Sequence, residues 1–243
     1  MVRYLLPMEN ATAEHERLIE SLCDDTVRAA YKSPLDAYRP SMVPRLLGGF
    51  LVWCGNMVYG TKPSYLKFRA IEVIARVPYQ SWASAAFTLL TLFYADEQRA
   101  LRLSTISRFA RFSSDNETMH VVVISALAKK EHPAGIVRHT LIPLLFAFFY
   151  FWTSYLMYLI NSRWALETNY IFEQHAFDQY SLFLTQNEAL LKSKSIVSEF
   201  LTWYGRHPRS HYEFFLSVRN DELVHRNQSI HEITLNQHHA KVV

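Results

Sequence analysis

Two Glu-x-x-His steps, Glu117–His120 and Glu222–His225, constrain this chain more than any other feature of its sequence. On an α-helix, residues i and i+3 lie on one face, one turn apart, so each step can grip a single metal ion. Two further glutamates, Glu72 and Glu173, stand alone in stretches that read as helices. In chain order the pattern is Glu, Glu-x-x-His, Glu, Glu-x-x-His. That is the ligand set of a four-helix bundle holding two metal ions in its core. Oxygen-rich ligands with one imidazole per metal suit iron or manganese, whereas zinc prefers four tight nitrogen or sulfur ligands. One such step is common on solvated helix faces. Two of them, interleaved with two lone glutamates in apolar helices, are far more specific.

Composition agrees with a helical bundle. Half of the 243 residues are hydrophobic and only six are glycine, as long helices with few tight turns require. No linker, low-complexity run or short-period repeat divides the chain, so a single domain is expected. Cys23 and Cys54 are too few for a disulfide framework. A net charge of +3, without basic runs interleaved with aromatics, gives no case for nucleic-acid binding. It does suit a surface lying against anionic lipid. The N-terminus shows neither a signal-peptide apolar region nor an Arg/Ser-rich transit sequence.

The hydrophobic pattern sets out the elements. Residues 1–40 read as an N-terminal arm, with a polar helix over 12–32. Residues 41–62 hold an apolar, glycine-interrupted stretch, expected to lie in a membrane interface with Trp53 and Tyr59 at headgroup level. Residues 64–233 form the bundle: one helix over 64–95 with Glu72, one over 97–130 with Glu117 and His120, one over 165–192 with Glu173, and one over 209–233 with Glu222 and His225. The second of these is expected to stop near His132-Pro133. Between the second and third lies 141–160, which carries no charge and is long enough to cross a bilayer. Its neighbour carries Glu97, Arg99, Arg102, Arg108, Arg111 and Asp115, too polar to span. The apolar helix is therefore expected to face the bundle on one side and one leaflet on the other, giving a monotopic protein. Residues 234–243, with His238 and His239, read as a frayed polar tail rather than a metal pair.

Four segments, AIEVIARVP, DNETMH, YIFEQHAFDQY and VRNDELVHR, resemble in order the metal-binding motifs of the alternative oxidases, LETVAxVP, NERMH, LEEEAxxxY and RADExxHR. These are membrane-bound, cyanide-insensitive quinol oxidases, and the plastid terminal oxidases belong with them. The resemblance spans about residues 64–230, and YLINSRWAL at 158–166 looks like the family's YLISPKFAH. It implies an all-α, ferritin-like di-iron bundle with apolar membrane-interface helices. It also implies two Fe ions held by Glu72, Glu117, His120, Glu173, Glu222 and His225. Four carboxylates and two neutral imidazoles would balance two divalent ions, whereas burying those glutamates without metal would cost several kcal/mol each. By the same resemblance Tyr180 is the tyrosine that relays an electron and a proton. Asn116, Asp221, Trp203 and Tyr158 support the ligands, and Ile71, Ala176 and Lys67 contact substrate. Quinol, O₂ and membrane lipid would be the partners, with a homodimer as the family's usual state.

Several of the departures from the family pattern fall at positions that, by the resemblance, line or neighbour the quinol pocket. LEEEA is FEQHA here, so Gln174 and His175 replace two carboxylates. The arginine of NERMH is Thr118, the threonine before the tyrosine is Gln179, and an arginine five residues before the first ligand is Lys67. The metal ligands are intact while the pocket is altered. Three readings stay open on these grounds: a quinol:O₂ oxidoreductase, a related di-iron oxygenase that hydroxylates or desaturates a hydrophobic metabolite, and a membrane-associated helical protein without redox turnover.

Overall fold

A computed structural model of the chain describes residues 8–131 and 133–240; His132, Met1–Pro7 and Lys241–Val243 lie outside the described residues, as do the side chains of 8–11 and 236–240, His238 and His239 among them. The described residues are almost entirely helical, with one isolated antiparallel bridge between Ser195 and Ser210. The helices are α1 (Met8–Ser21), α2 (Asp25–Lys32), α3 (Met42–Tyr59), α4 (Tyr65–Ala75), α5 (Val77–Phe93), α6 (Glu97–Glu131), α7 (Ile142–Ile160), α8 (Ser162–Ser193), α9 (Glu199–Tyr204) and α10 (His211–Ala240). The all-α bundle expected from the sequence is therefore what forms.

Local chemistry marks most boundaries. Asp24 accepts the backbone N–H of Thr26 (2.8 Å) and Val27 (3.0 Å), so the expected helix over 12–32 is instead two helices with Asp24 as the cap of the second. Asp96 caps α6 through the N–H of Arg99 at 3.0 Å, and Asn161 caps α8 through that of Arg163 at 3.1 Å. The single helix expected over 64–95 breaks at Arg76. Pro78 explains the break: it lacks an N–H and its ring meets the carbonyl four residues back, that of Ile74. At its far end α8 is kinked at Asn187, whose side chain donates to the Phe183 carbonyl at 3.0 Å. α10 runs on to Ala240, so residues 234–240 continue the helix rather than fraying at 234.

Four units make the bundle: the α4–α5 pair, α6, α8 and α10, with α8 and α10 packed along most of their lengths. Two apolar clusters fill it. One contains Phe68, Met119, Val123, Tyr180, Phe183, Phe215 and Val218. The other contains Tyr79, Trp82, Ala110, Leu166, Ile230 and Ile233. On every bundle helix the glutamate named above falls between the residues given to one cluster and those given to the other. The carboxylates thus form a polar layer between two dry ones.

α3 and α7 lie outside this core. α3 packs close to α8 at Gly48, where a Cβ would sit 3.2 Å from Ile171 Cγ2. α7 is tied to α5 by Ser81–Ser154 (2.9 Å) and Thr88–Tyr155 (2.9 Å) hydroxyl pairs. Their outer faces are apolar and exposed: Met42, Leu46, Phe50, Trp53 and Met57 on α3, and Leu145, Phe148, Phe149, Trp152 and Leu156 on α7. By length and composition, Val137–Ile160 is the one segment among the described residues that could cross a membrane. The N-terminal arm is integral to the fold. Ile19 and Leu22 are buried, and Asn220 of α10 donates to the Ile19 carbonyl at 3.0 Å.

Phe68 tests the packing beneath the polar layer. Its ring stacks on Tyr180 with centroids 4.1 Å apart and meets Phe183 edge-on. Phe68→Ala should lower the unfolding free energy by ~3–5 kcal/mol, read by urea denaturation. A loss below ~1 kcal/mol would show that this cluster is not tightly packed.

Candidate metal centre

All six residues of the Glu/His pattern are buried, none more than 2% exposed. They converge. Glu72, Glu117, His120 and Glu222 form one group, and Glu117, Glu173, Glu222 and His225 a second; within each group one ligand atom per residue lies within 4.8 Å of the others. Glu117 and Glu222 belong to both. The arrangement is therefore two adjacent sites. Each has one imidazole and one carboxylate of its own, and two carboxylates stand between them. His120 Nδ1 lies 3.4 Å from Glu117 Oε2, 3.4 Å from Glu222 Oε1 and 3.5 Å from Glu72 Oε2. His225 Nδ1 lies 2.9 Å from Glu117 Oε1.

These approaches are not hydrogen bonds. Both carboxylate oxygens of Glu117 and Glu222, Oε2 of Glu72, Nδ1 of His120 and both ring nitrogens of His225 are buried without a hydrogen-bond partner. Buried polar atoms are nearly always paired, and a cluster of orphaned lone pairs facing one another is costly unless cations sit among them. The donor set and its missing partners fit two divalent metal ions.

The surrounding groups orient the ligands. His120 Nε2 donates to Asp221 Oδ2 at 2.9 Å, which turns Nδ1 toward the carboxylates. Asp221 is itself held by Arg206 and by His15 Nε2 at 2.7 Å. Asn116 donates to the Tyr204 hydroxyl at 3.0 Å. The Tyr180 hydroxyl donates to Glu72 Oε1 in a very short contact. Tyr79 makes the matching contact at the other site: its hydroxyl donates to Glu173 Oε1 at 2.7 Å, and Asn169 Nδ2 donates to the same oxygen at 3.0 Å.

Two expected supports are elsewhere. Trp203 is 78% exposed and packs on Phe200, so it does not support the ligands. Its neighbour Tyr204, turned about a third of a helical turn away, is the one that reaches Asn116. Tyr158 is buried in the apolar cluster beside Trp82, centroids 6.3 Å apart, and packs there rather than at the carboxylates.

The sequence model of the alternative oxidase family matches residues 42–234, most of the chain and all six of these residues. The chain belongs to the alternative oxidase family. A search of curated protein sequences returns no match. Alternative oxidases are di-iron quinol oxidases, so an oxidoreductase of this general type follows from membership.

A largely apolar cavity reaches the polar layer. It is lined by Leu51 and Val52 of α3, Ile71 of α4, Phe146 of α7 and Ala176 of α8, and it touches Glu72, Glu173 and Tyr180. Lys67, His175 and Gln179 are among its polar lining residues, with Asn56, Tyr59, Tyr150 and Asn169. Lys67 Nζ donates to Gln179 Oε1 (2.9 Å) and the Gly60 carbonyl (2.9 Å). Burial pushes the Lys67 amine below its usual range. The other altered positions turn away: Thr118 donates to the Ser114 carbonyl of its own helix (2.7 Å), and Gln174 pairs with Asp178 (2.9 Å) and Arg226.

Burial raises the carboxyls of Glu72, Glu173 and Glu222, that of Glu72 to about 7. Burial would raise Glu117 too, but His120 and His225 outweigh it and hold it down to about 2. The His120 imidazole, despite burial, is held well above its ordinary range by Glu117 and Asp221. The three raised carboxyls favour the protonated form in the fold. Their contribution to stability is present below the ordinary carboxylate range and lost as pH rises through their folded values. The chelated protein should therefore melt at a lower temperature at about pH 7 than at about pH 5. Protons must leave for metal to bind, so metal affinity should strengthen across the same window. Calorimetry with and without metal reads both. A melting temperature of the chelated protein that rises from about pH 5 to about pH 7 would contradict the assignment.

Proposed function

We propose that this chain is a monotopic quinol:O₂ oxidoreductase that holds two irons in the six-residue centre and takes its electrons from a lipid-soluble quinol. The observation that carries the reading is the cavity. It is mostly apolar, is walled partly by α3 and α7, and touches Glu72, Glu173 and Tyr180. α3 and α7 are the two helices whose outer faces are apolar and exposed. A reductant dissolved in a membrane could reach the centre without crossing water.

The residues then divide the work. When bound, the irons supply the redox chemistry by which two quinols deliver four electrons to O₂, giving two quinones and two waters. Glu117 and Glu222 would hold both ions, Glu72 and His120 one, Glu173 and His225 the other. Ile71 and Ala176 would pack on the quinol ring. Lys67 offers a donor and Gln179 an amide at the polar end. Tyr180 and Glu72 both border the cavity and are hydrogen-bonded to each other, so the Tyr180 hydroxyl can hold a proton at Glu72 Oε1 while a quinol loses its own. Burial and the Glu72 charge push that phenol well above its usual range, so it stays protonated until oxidised. The dry walls exclude water from the exchange.

His175 and Gln179 stand in the cavity wall where the family has other groups. They favour a second reading, a di-iron oxygenase acting on a hydrophobic metabolite. Oxygen uptake by the iron-loaded protein with a ubiquinol analogue, insensitive to cyanide and needing no further substrate, supports the oxidase. Uptake only when an organic substrate is added supports the oxygenase.

Tyr180→Phe should lower quinol-driven oxygen uptake by about two orders of magnitude or more while leaving iron content intact. The lost hydrogen bond should cost only ~1 kcal/mol. Glu173→Ala should instead lower the iron content. Near-full uptake by Tyr180→Phe would reduce that tyrosine to packing.

Membrane contact has its own test. Phe50 and Trp152 are 57% and 50% exposed, so Phe50→Glu with Trp152→Glu should leave the fold intact and release the protein from anionic vesicles in flotation. In sealed vesicles, protease should cut from one side alone. Cleavage from both sides would show that α7 spans.

A further inference from the structure

We propose that His15, on the N-terminal helix, is a positioning residue for the metal centre: it fixes Asp221, and through Asp221 the imidazole of His120. The inference rests on the two-metal reading above. His15 lies outside residues 42–234, the part of the chain that the family match covers.

The geometry is a chain of three side chains. His15 Nε2 donates to Asp221 Oδ1 at 2.7 Å, and Asp221 Oδ2 accepts from His120 Nε2 at 2.9 Å. Every member is buried; Asp221 and His120 are fully so, and His15 is 8% exposed. α1 carries the ring to this place firmly. Ile19 and Leu22 are buried beneath it, and Glu16 of the same helix pairs with Arg206 at 2.6 Å.

His15 has a task that Arg206 cannot perform alone. Arg206 reaches both oxygens of Asp221, Oδ1 at 3.1 Å and Oδ2 as well. Oδ2 is the oxygen that must also accept from His120. The two-point grip sets the plane of the carboxylate relative to the guanidinium, but both of its donors come from one side chain. His15 adds an independent donor at Oδ1, from α1, that holds the group where Oδ2 meets the imidazole. Because the His120 Nε2–H bond sets the ring orientation, it also sets where the Nδ1 lone pair points. His15 further packs edge-on against Phe112 of α6, centroids 5.0 Å apart. It thus touches α6 through Phe112 and α10 through Asp221, the two helices that carry the Glu-x-x-His steps.

The test uses the full chain, anaerobic Co(II) as the probe, and three readouts: affinity, the visible ligand-field spectrum, and helix content of the metal-free protein. His15→Phe keeps the ring against Phe112 and removes the donor. His15→Gln keeps a donor and removes the ring. Expected are helix content unchanged, Co(II) affinity about tenfold or more weaker with an altered spectrum for His15→Phe, and near-wild-type binding for His15→Gln. Should the phenylalanine chain not fold, His15→Ser takes its place, with the same loss expected. Wild-type affinity and spectrum without the donor would overturn the proposal. So would a glutamine chain that loses as much as the phenylalanine or serine chain. The unaltered chain is titrated first: if it binds no Co(II), the metal centre itself fails, and the role of His15 with it.

Discussion

Four carboxylates with nowhere to put their charge are the constraint on which this structure depends. Glu117 and Glu222 present both oxygens to a buried space without one hydrogen bond, and Glu72, His120 and His225 add further unpaired atoms. A protein interior does not tolerate such a layer for stability's sake; replacing it with apolar side chains would be favourable. Its presence between two apolar clusters fits a layer that cations complete. In their absence the layer must keep protons, which is why three of the four carboxyls are pushed up and the fourth leans on two imidazoles.

The layer is also cross-braced. Tyr79 lies seven residues after Glu72 and Tyr180 seven after Glu173, yet each phenol serves the other glutamate. Tyr79 donates to Glu173, and Tyr180 to Glu72. The two halves therefore hold each other's outer carboxylates. They are not equivalent in surroundings. Tyr180 borders the cavity, whereas Tyr79 is sealed among Trp82, Phe109 and His225. Only one of the two phenols lines the cavity. That asymmetry follows from packing rather than from the ligands.

The ligand set was legible because helical periodicity is local. Glu117 and His120, or Glu222 and His225, share a face whatever the rest of the chain does, and the lone glutamates on the other two helices complete the pattern. What the sequence hid is non-local. Tyr79 reads as a distant residue on the helix of Glu72 until Pro78 breaks that helix and swings the phenol to Glu173. Asn169 carried a signal that went unused, since it sits one turn before Glu173 on the same face. Trp203 was misplaced because register in a six-residue helix cannot be read from spacing alone, and Tyr204 faces inward instead. His15 offered no signal at all: 206 residues separate it from Asp221, and only the folded arm brings them together.

The same contrast separates chemistry from access. The centre is built from residues buried to within 2%, the cavity touches it at Glu72, Glu173 and Tyr180, and two of the helices that wall the cavity, α3 and α7, have apolar, exposed far sides. α7 shows why one helix can serve both ends. Its inner face is committed to the bundle through Tyr150, Ser154, Met157 and Tyr158, including a hydroxyl pair with α5 that lipid could not replace. A helix so attached is not enclosed by hydrocarbon on its inner side, where Phe146 and Tyr150 line the cavity, while its outer face is apolar and exposed. If that outer face rests on a membrane, as proposed above, insertion depth and access to the cavity become one property of the same helix. A change that tilts α7 away from the surface would then close the route without touching a ligand.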